Sequence, residues 1–304
     1  MIEYSNVWRK ENREVHKFLR AIGFSDITKK DLEMILDEVI TRPEIMKITK
    51  DSEGNEFAEL SGSFAANAGI TVRGTYQEDD SFHMDYYYPY VFGTSITTNE
   101  QIDVEKHAEK ESYAGVCDEV NLGVTLIFYI QNVADYLAET NRHLSKIHYG
   151  AMLAGLSTEG KILCPVVERK KNDVPAIQKN DRHNQLIAQA REGDEDAIES
   201  LTLEDMDTYA LLSQRVMKED IFSIVKSTFM PFGIESDQYT VLGEIIDCVT
   251  MENKLTHEKL YGMKLLCNNI QFDVCINEKD LLGEPAIGRR FRGNVWMQGT
   301  LCLE

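Results

Sequence analysis

The chain has 304 residues, 43% hydrophobic and 27% charged, a composition typical of a soluble globular protein with one large or two modest domains. Its 51 acidic and 32 basic side chains give a net charge of −19, which disfavours broad binding to nucleic acid or to anionic membranes. The longest apolar-rich run, 122–130, is too short to span a bilayer, and the N-terminus lacks a signal segment. Six cysteines without a CxxC pair indicate reduced thiols, so we expect a cytoplasmic protein.

The N-terminal part, 1–167, is predicted to be an α+β domain. Apolar residues at helical spacing before Gly23 and after Thr28 predict two helices. Turn signals at 51–56 and 77–81 then separate short runs typical of antiparallel hairpins. Two strands are predicted at 112–119 and 122–130, and a short helix at 132–139. A further hairpin is predicted with its turn at Ser-Thr-Glu-Gly, 157–160.

The rest of the chain is predicted to form a linker with a helical segment, 168–219, and a small β-domain, 220–304. Polar residues without apolar periodicity mark the boundary near 168–181, and no internal repeat is visible. Five short strands follow residue 220, which suits a five-stranded meander or an OB-like barrel. The predicted fold class is therefore α+β, with helices and antiparallel sheet first and a small β-domain at the C-terminus.

Several blocks of the sequence resemble a known family. FLRAIGFSDI, AQAREGDEDAIESLT, MKEDIFSIVKSTFMPFGIESDQY and INEKDLLGEPAIGRRFRGNVWMQG are similar to an uncharacterised family of bacterial cytosolic proteins, known only as a domain of unknown function. The resemblance spans nearly the whole chain. It implies a bacterial, non-secreted protein, and it brings no activity, cofactor or catalytic residue.

An aromatic strand at 82–92 offers one candidate site. Alternation places Tyr86 and Tyr88 on a face with other aromatic residues, which suits either a packed core or a ligand platform. His83 and Asp85 then share the opposite face, where they could act as an acid–base pair. Tyr86 and Tyr88 are therefore candidate ligand-binding residues, and His83 and Asp85 are candidate catalytic residues.

The last strand offers a second candidate site. Arg290, Arg292, Trp296 and Gln298 alternate with apolar residues, so they share one face. Trp296 between arginines could stack on a planar ligand or bind an anionic group, which makes these four residues candidate ligand contacts. In the alternative interpretation, a helix from 182–217 covers this strand and its acidic residues pair with the arginines.

Common catalytic and metal-binding signatures are absent from the sequence. There is no HExxH, GxSxG, P-loop or GxGxxG pattern. The acidic residues of 192–207 concentrate at two predicted helix starts and lack the spacing of a calcium-binding loop. We therefore expect no metal and no cofactor. The main hypothesis is a non-catalytic cytosolic protein that binds a protein or a small molecule, with partner and oligomeric state left open. The alternative is an enzyme of unrecognised type with a pocket near strand 82–92.

Overall fold

A computed structural model describes residues 15–106, 110–142, 148–165 and 225–303, together with a few residues between 186 and 202. The chain divides into two compact units, 1–163 with 229–304, and 164–228. In the second unit, residues 196, 197 and 199–202 are helical, and Asp194 Oδ1 accepts from the backbone N–H groups of Asp196 and Ala197 at the start of this helix. The predicted domain boundaries at 167/168 and 219/220 lie outside the described residues.

Two short helices open the described part of the chain, as the sequence predicted. A 3₁₀ helix, Lys17–Ile22, ends at Gly23, whose φ of 93° is a conformation that glycine adopts readily. Helix α1, Lys29–Thr41, begins after Thr28, whose side chain accepts from the Asp31 N–H. Leu32, Leu36 and Val39 recur along one face of α1 and are buried.

A four-stranded antiparallel sheet follows α1. Its strands pair in chain order, each with the next, because short turns join them. The strands are β1 (Ile45–Lys50), β2 (Glu56–Ala65), β3 (Ala68–Tyr76) and β4 (Phe82–Val91).

A ten-stranded sheet contains the remaining strands. One further helix, α2 (Val133–Asn141), precedes its longest strand, β8. The strands are β5 (Thr98–Lys106), β6 (Tyr113–Glu119), β7 (Val124–Ile130), β8 (His148–Leu163), β9 (Thr228–Pro231), β10 (Gln238–Glu252), β11 (Lys259–Cys267), β12 (Ile270–Asn277), β13 (Leu281–Leu282) and β14 (Arg290–Leu301).

The ten-stranded sheet contains two closed rings that share the antiparallel pair β8–β14. In the first ring, β5 pairs with β8, the meander runs through β6 to β7, and β7 lies parallel to β14. In the second, β10 pairs with β14, the meander runs through β11 to β12, and β12 lies parallel to β8. If β5, β6, β7 and β8 are exchanged for β10, β11, β12 and β14 in that order, the same set of strand pairings results. The fold therefore contains a topological repeat, although no sequence repeat is visible.

The predicted fold class was wrong. The described part of the larger unit contains fourteen strands and only four short helices, two of them 3₁₀ (Lys17–Ile22 and Glu278–Asp280), so the protein is mainly β. The C-terminal strands do not form a separate five-stranded meander or OB-like domain, because β8 closes their ring from the N-terminal half. The local sequence pattern identified most strands, but it carries no information on a pairing between β8 and β14, which lie far apart in the chain.

Strand β8 also differs from the predicted hairpin. Ser-Thr-Glu-Gly at 157–160 forms an irregularity within one continuous strand, since the register against β14 shifts between Asn294 and Val295. Ser157 Oγ donates to the backbone oxygens of Glu159 and Asn294 there. Gly160 is required because a Cβ atom would lie 2.4 Å from the ring of Phe291.

Two apolar clusters stabilise the larger unit. One fills the rings and includes Phe128, Phe272 and Phe291, all fully buried. The other joins the four-stranded sheet, α1 and the 3₁₀ helix to the outward residues Leu156 and Trp296 of the shared pair. Within the described residues, no helix combines the length and the apolar character that a membrane crossing requires.

Candidate functional site

A buried arginine connects the two sheets. Arg73 on β3 is fully buried, and its Nε donates to Glu59 Oε1 at 2.7 Å. Its terminal nitrogens donate to the hydroxyls of Tyr86, Tyr88 and Tyr129 at 2.9, 3.2 and 2.7 Å, and to the carbonyls of residues 130 and 131. Burial alone would lower the pKa of Arg73, but the tyrosines and Glu59 outweigh it and raise that pKa.

This arginine cluster is a structural connection rather than an open site. Glu59 Oε2 accepts from the Ala134 N–H at 2.8 Å, in the first turn of α2, where a carboxylate is favoured by the helix dipole. Arg73 and Tyr88 are buried, Tyr129 is half-buried, and each donor nitrogen of Arg73 has a partner. The predicted ligand residues Tyr86 and Tyr88 therefore lie together, both hydrogen-bonded to Arg73, which no motif in the sequence marks.

A β-bulge changes the faces of β4. The register against β3 runs from Gly74 opposite Met84 to Arg73 opposite Tyr86, so Asp85 is the extra residue. The predicted alternation therefore fails at Asp85, and Met84 lies on the opposite face from Tyr86 and Tyr88.

The predicted catalytic pair lies at this bulge. His83 Nδ1 is 3.7 Å from Asp85 Oδ1, longer than a hydrogen bond, and the His83 side chain is 63% exposed. Partial burial raises the pKa of Asp85, with His83 and Lys110 opposing that rise. Neither residue lines either of the two grooves described below, and their catalytic role stays a prediction.

A second polar cluster lies close to the bulge. Ser52 Oγ donates to Glu111 Oε1 at 2.5 Å, and Lys106 Nζ lies 2.9 Å from the same oxygen. Tyr113 donates to the other oxygen of Glu111, and these bonds outweigh burial and lower the pKa of Glu111. Because every donor converges on one carboxylate, the cluster fastens the β1–β2 turn to β5 and β6 and holds the Ser52 proton in a hydrogen bond.

The predicted binding face of β14 is covered by other parts of the chain. Trp296 is 6% exposed, stacks on Phe18 at 5.2 Å between ring centroids, and donates to Asp237 Oδ2 at 2.7 Å. The covering element is the 3₁₀ helix, whereas the predicted cover from 182–217 falls largely outside the described residues. Gln298 is fully buried and accepts from Gln131 Nε2 at 2.8 Å.

The two arginines of β14 differ in exposure. Arg290 is 5% exposed, whereas Arg292 is half-buried, and both have interaction partners. The four β14 residues thus share one strand, but Trp296 and Gln298 are packed and hydrogen-bonded. Ligand binding by Arg290, Arg292, Trp296 and Gln298 stays a prediction.

An open groove between α1 and the β10–β11 connection (253–258) is the stronger candidate site. It has a volume of about 440 Å³, and we call it the α1 groove. From α1 it is lined at positions 31, 34, 35 and 38, a spacing that places them on one helix face. Five of the ten lining residues are apolar, four are acidic and none is basic: Phe24, Ile27, Met34, Ile35, Leu255; Asp26, Asp31, Glu38, Glu258; and Thr256.

Asn253 positions the wall of the α1 groove opposite α1. It is fully buried, its Nδ2 donates to the Ile22 carbonyl at 2.7 Å, and its Oδ1 accepts from the N–H groups of Leu255 and Thr256. These bonds fix the connection against the 3₁₀ helix. Met34 and Leu255 remain 56% and 50% exposed, which leaves apolar surface facing solvent on both walls.

A second open groove lies at the ends of β2 and β3. It has a volume of about 840 Å³ and is lined by polar hairpin residues, Asn55, Glu56, Thr75, Tyr76, Gln77, Glu78, Asp79 and Ser81. Tyr76 is its only large apolar lining residue, so it offers little surface to bury. Binding sites are usually more apolar, and the α1 groove fits that pattern better.

Among the described residues, no group of three or more His, Cys, Asp or Glu side chains is arranged to hold a metal ion. No curated protein and no solved structure matches the chain. Residues 19–299 match the family described as "Domain of unknown function, E. rectale Gene description (DUF3881)". The chain therefore belongs to this family of domains of unknown function.

Proposed function

We propose that the protein is a non-catalytic interaction protein that binds a segment of a partner protein in the α1 groove. The observation that carries this proposal is the pair of half-exposed apolar walls, Met34 and Leu255, facing a shared opening. Apolar surface that lies in a concavity with a polar rim is typical of interaction sites.

The support for binding is stronger than the support for catalysis. The α1 groove is held by buried hydrogen bonds from Asn253, so its shape exists before a partner arrives and less entropy is lost on binding. The enzyme alternative requires His83 and Asp85 to line a concavity, and neither residue lines either groove. A reaction catalysed by the protein whose pH–rate profile changed on His83→Gln would favour the enzyme alternative.

A cytoplasmic location remains part of the proposal. Cys117, Cys267 and Cys275 are buried as free thiols, which suits a reducing compartment. The net charge of −19 supports a protein partner over nucleic acid or an anionic membrane.

Selection from a random peptide library tests the interaction function. Peptides selected on the wild-type protein should lose at least about tenfold in affinity for Met34→Glu and for Leu255→Glu, because each change puts a charge against the buried apolar contact. Affinities are measured by calorimetry, with circular dichroism confirming that each variant is folded.

Met46→Glu is the matched control. Met46 on β1 is also exposed, at 49%, and does not line the α1 groove. Its substitution should leave peptide affinity unchanged. Selected peptides that lose affinity equally with Met46→Glu, or that are insensitive to both groove variants, would contradict the proposal.

A further inference from the structure

An ion pair at the edge of the α1 groove shows where a cation binds. Lys279 Nζ lies 2.7 Å from Glu258 Oε1 and 3.6 Å from Asp26 Oδ2. Both carboxylates line the groove, whereas Lys279 does not. One ammonium group can therefore interact with both carboxylates, and the chain's own lysine marks that position.

Glu258 is held in place by two hydrogen-bond donors on its other oxygen. Oε2 accepts from Asn277 Nδ2 at 2.6 Å and from Ser25 Oγ at 2.8 Å, and Asn277 is fully buried. Burial alone would raise the pKa of Glu258, but the bonds from Lys279, Ser25 and Asn277 outweigh it and lower that pKa. The carboxylate is thus charged and oriented before any ligand arrives, with its Oε1 directed to Lys279.

We propose that the partner segment carries a lysine or arginine next to its apolar side chains, and that this cation binds between Asp26 and Glu258 in place of Lys279. The inference rests on the proposed function and specifies its partner. Lys279 is half-exposed, with 51% of its side chain accessible, so it can move into solvent when another cation arrives.

Charge complementarity selects this occupant over others. The groove has four acidic lining residues and no basic one, and although Lys279 pairs with two of them, an anionic segment still meets the charges of Asp31 and Glu38 on the α1 wall. On the α1 wall, Asp31 already accepts a hydrogen bond from Thr28. Glu258 is therefore the best-oriented carboxylate of the groove, and Asp26, whose side chain is 88% exposed, adds a second negative charge beside it. A neutral apolar segment would bury Met34 and Leu255 but would gain nothing from these carboxylates.

Two synthetic peptides test the inference. One is a short amphipathic peptide with a leucine face and a lysine face, and the other has glutamine in place of each lysine. Methyl NMR of Met34 and Leu255 reports groove binding, and calorimetry gives the affinities. We expect the lysine peptide to bind at least about fivefold more tightly, and Glu258→Gln to remove most of that difference.

Lys279→Gln should change the affinity for the lysine peptide in the opposite direction from Glu258→Gln. Removing the competing ammonium should strengthen binding of the lysine peptide, by up to about fivefold, and leave the glutamine peptide unchanged. Glu284→Gln, in the loop after β13, changes the total charge equally and should have no effect. A purely non-specific attraction would instead respond alike to Glu258→Gln and Glu284→Gln.

The outcomes separate the two proposals. If both peptides shift Met34 and Leu255 with equal affinity, the α1 groove binds apolar segments but the cation site is wrong. If the lysine peptide binds without shifting these methyl groups, or neither peptide binds, the inference is overturned together with its support for the proposed function. If Lys279→Gln weakens the lysine peptide, Lys279 supports the site instead of competing for it, which also contradicts the inference.

Discussion

Arg73 carries a charge that is fully buried between the two sheets. Its guanidinium is compensated by Glu59, three tyrosine hydroxyls and two carbonyls, so the cost of desolvation is met by a complete set of partners. Such a cluster tolerates the loss of a single member poorly, since each member is satisfied by the others.

We expect Arg73→Met to reduce the free energy of unfolding by about 3–5 kcal/mol, because it leaves the Glu59 carboxylate buried without its cation. The double variant Arg73→Met with Glu59→Leu should lose less than the sum of the two single variants. Urea unfolding of all four proteins measures this coupling. Additive losses would show that Arg73 and Glu59 do not depend on each other for their stability in the buried cluster.

His16 predicts a pH dependence. Its burial, and to a lesser degree Lys17, lowers the pKa of His16 from 6.5 to about 4. The unfolded chain therefore binds the proton more tightly, so this contribution to stability is present above pH 6.5 and is lost as the pH falls towards 4. His16→Asn keeps an acceptor for the Phe18 N–H that His16 now bonds through Nδ1, without titrating there.

Between pH 7 and pH 4, wild type should lose more unfolding free energy than His16→Asn. Both proteins share the titration of their carboxylates, so the difference between them isolates His16. Urea unfolding at several pH values measures it. Parallel pH profiles for the two proteins would mean that His16 is protonated as easily in the folded state as in the unfolded chain.

At the residue scale, the sequence indicated which side chains need a hydrogen-bond partner better than it indicated which residue supplies the bond. Buried tyrosines require partners for their hydroxyls, and Tyr86 and Tyr88 have one in Arg73, while ligand binding by these two residues stays a prediction. Their partner Arg73 lies on a different strand, inside an otherwise apolar run, and no local pattern marks it. Trp296 was placed on a polar face because strict alternation gives no sign that the 3₁₀ helix covers that face.

At the element scale, turn chemistry predicted most strands. The turns at 51–56 and 77–81 separate β1 from β2 and β3 from β4, and Thr28 caps α1. The misses are irregularities inside strands: the bulge at Asp85 and the shift opposite Asn294, where polar residues and glycine imitate turn signals.

Close packing of strands gives a prediction at this scale. A Cβ atom on Gly115 of β6 would lie 2.3 Å from the Phe128 ring, so Gly115→Ala should cost about 1–3 kcal/mol or more of unfolding free energy. Gly262, inside the corresponding strand β11, is the control. Its added Cβ would meet the ends of Val249 and Met251 at 3.0 and 3.1 Å, half-exposed side chains that can move.

Gly262→Ala should therefore cost clearly less than Gly115→Ala in thermal and urea unfolding. Equal losses would show that the packing against Phe128 relaxes as easily as an exposed side chain does. A larger loss for Gly262→Ala would contradict the described burial of the two positions.

At the scale of the whole molecule, the two rings depend on each other. β12 and β14 need β8 to close their ring, just as β5 and β7 need the same central pair. Pairings across more than a hundred residues leave no periodic trace in the sequence, which explains why the predicted C-terminal β-domain was read as separate. The net charge of −19 likewise gave no location, whereas the structure places four carboxylates around one apolar groove.

The shared central pair predicts that residues 220–304 do not fold alone. Without β8, the backbone groups of β12 and β14 that face it lack partners, so the isolated fragment should show no cooperative thermal transition and poorly dispersed NMR spectra. The full chain is the control. Cooperative unfolding of a monomeric 220–304 fragment would support the predicted independent β-domain instead.

Site-specific photocrosslinking tests the central claim, binding at the α1 groove, most directly. A photoreactive phenylalanine derivative is placed at Met34 or, as the control, at Met46, and a library-selected peptide is added to each protein. We expect a covalent adduct from position 34, competed away by unlabelled peptide, and none from position 46. Equal crosslinking from both positions, or crosslinking from position 46 alone, would contradict the assignment of the α1 groove as the binding site.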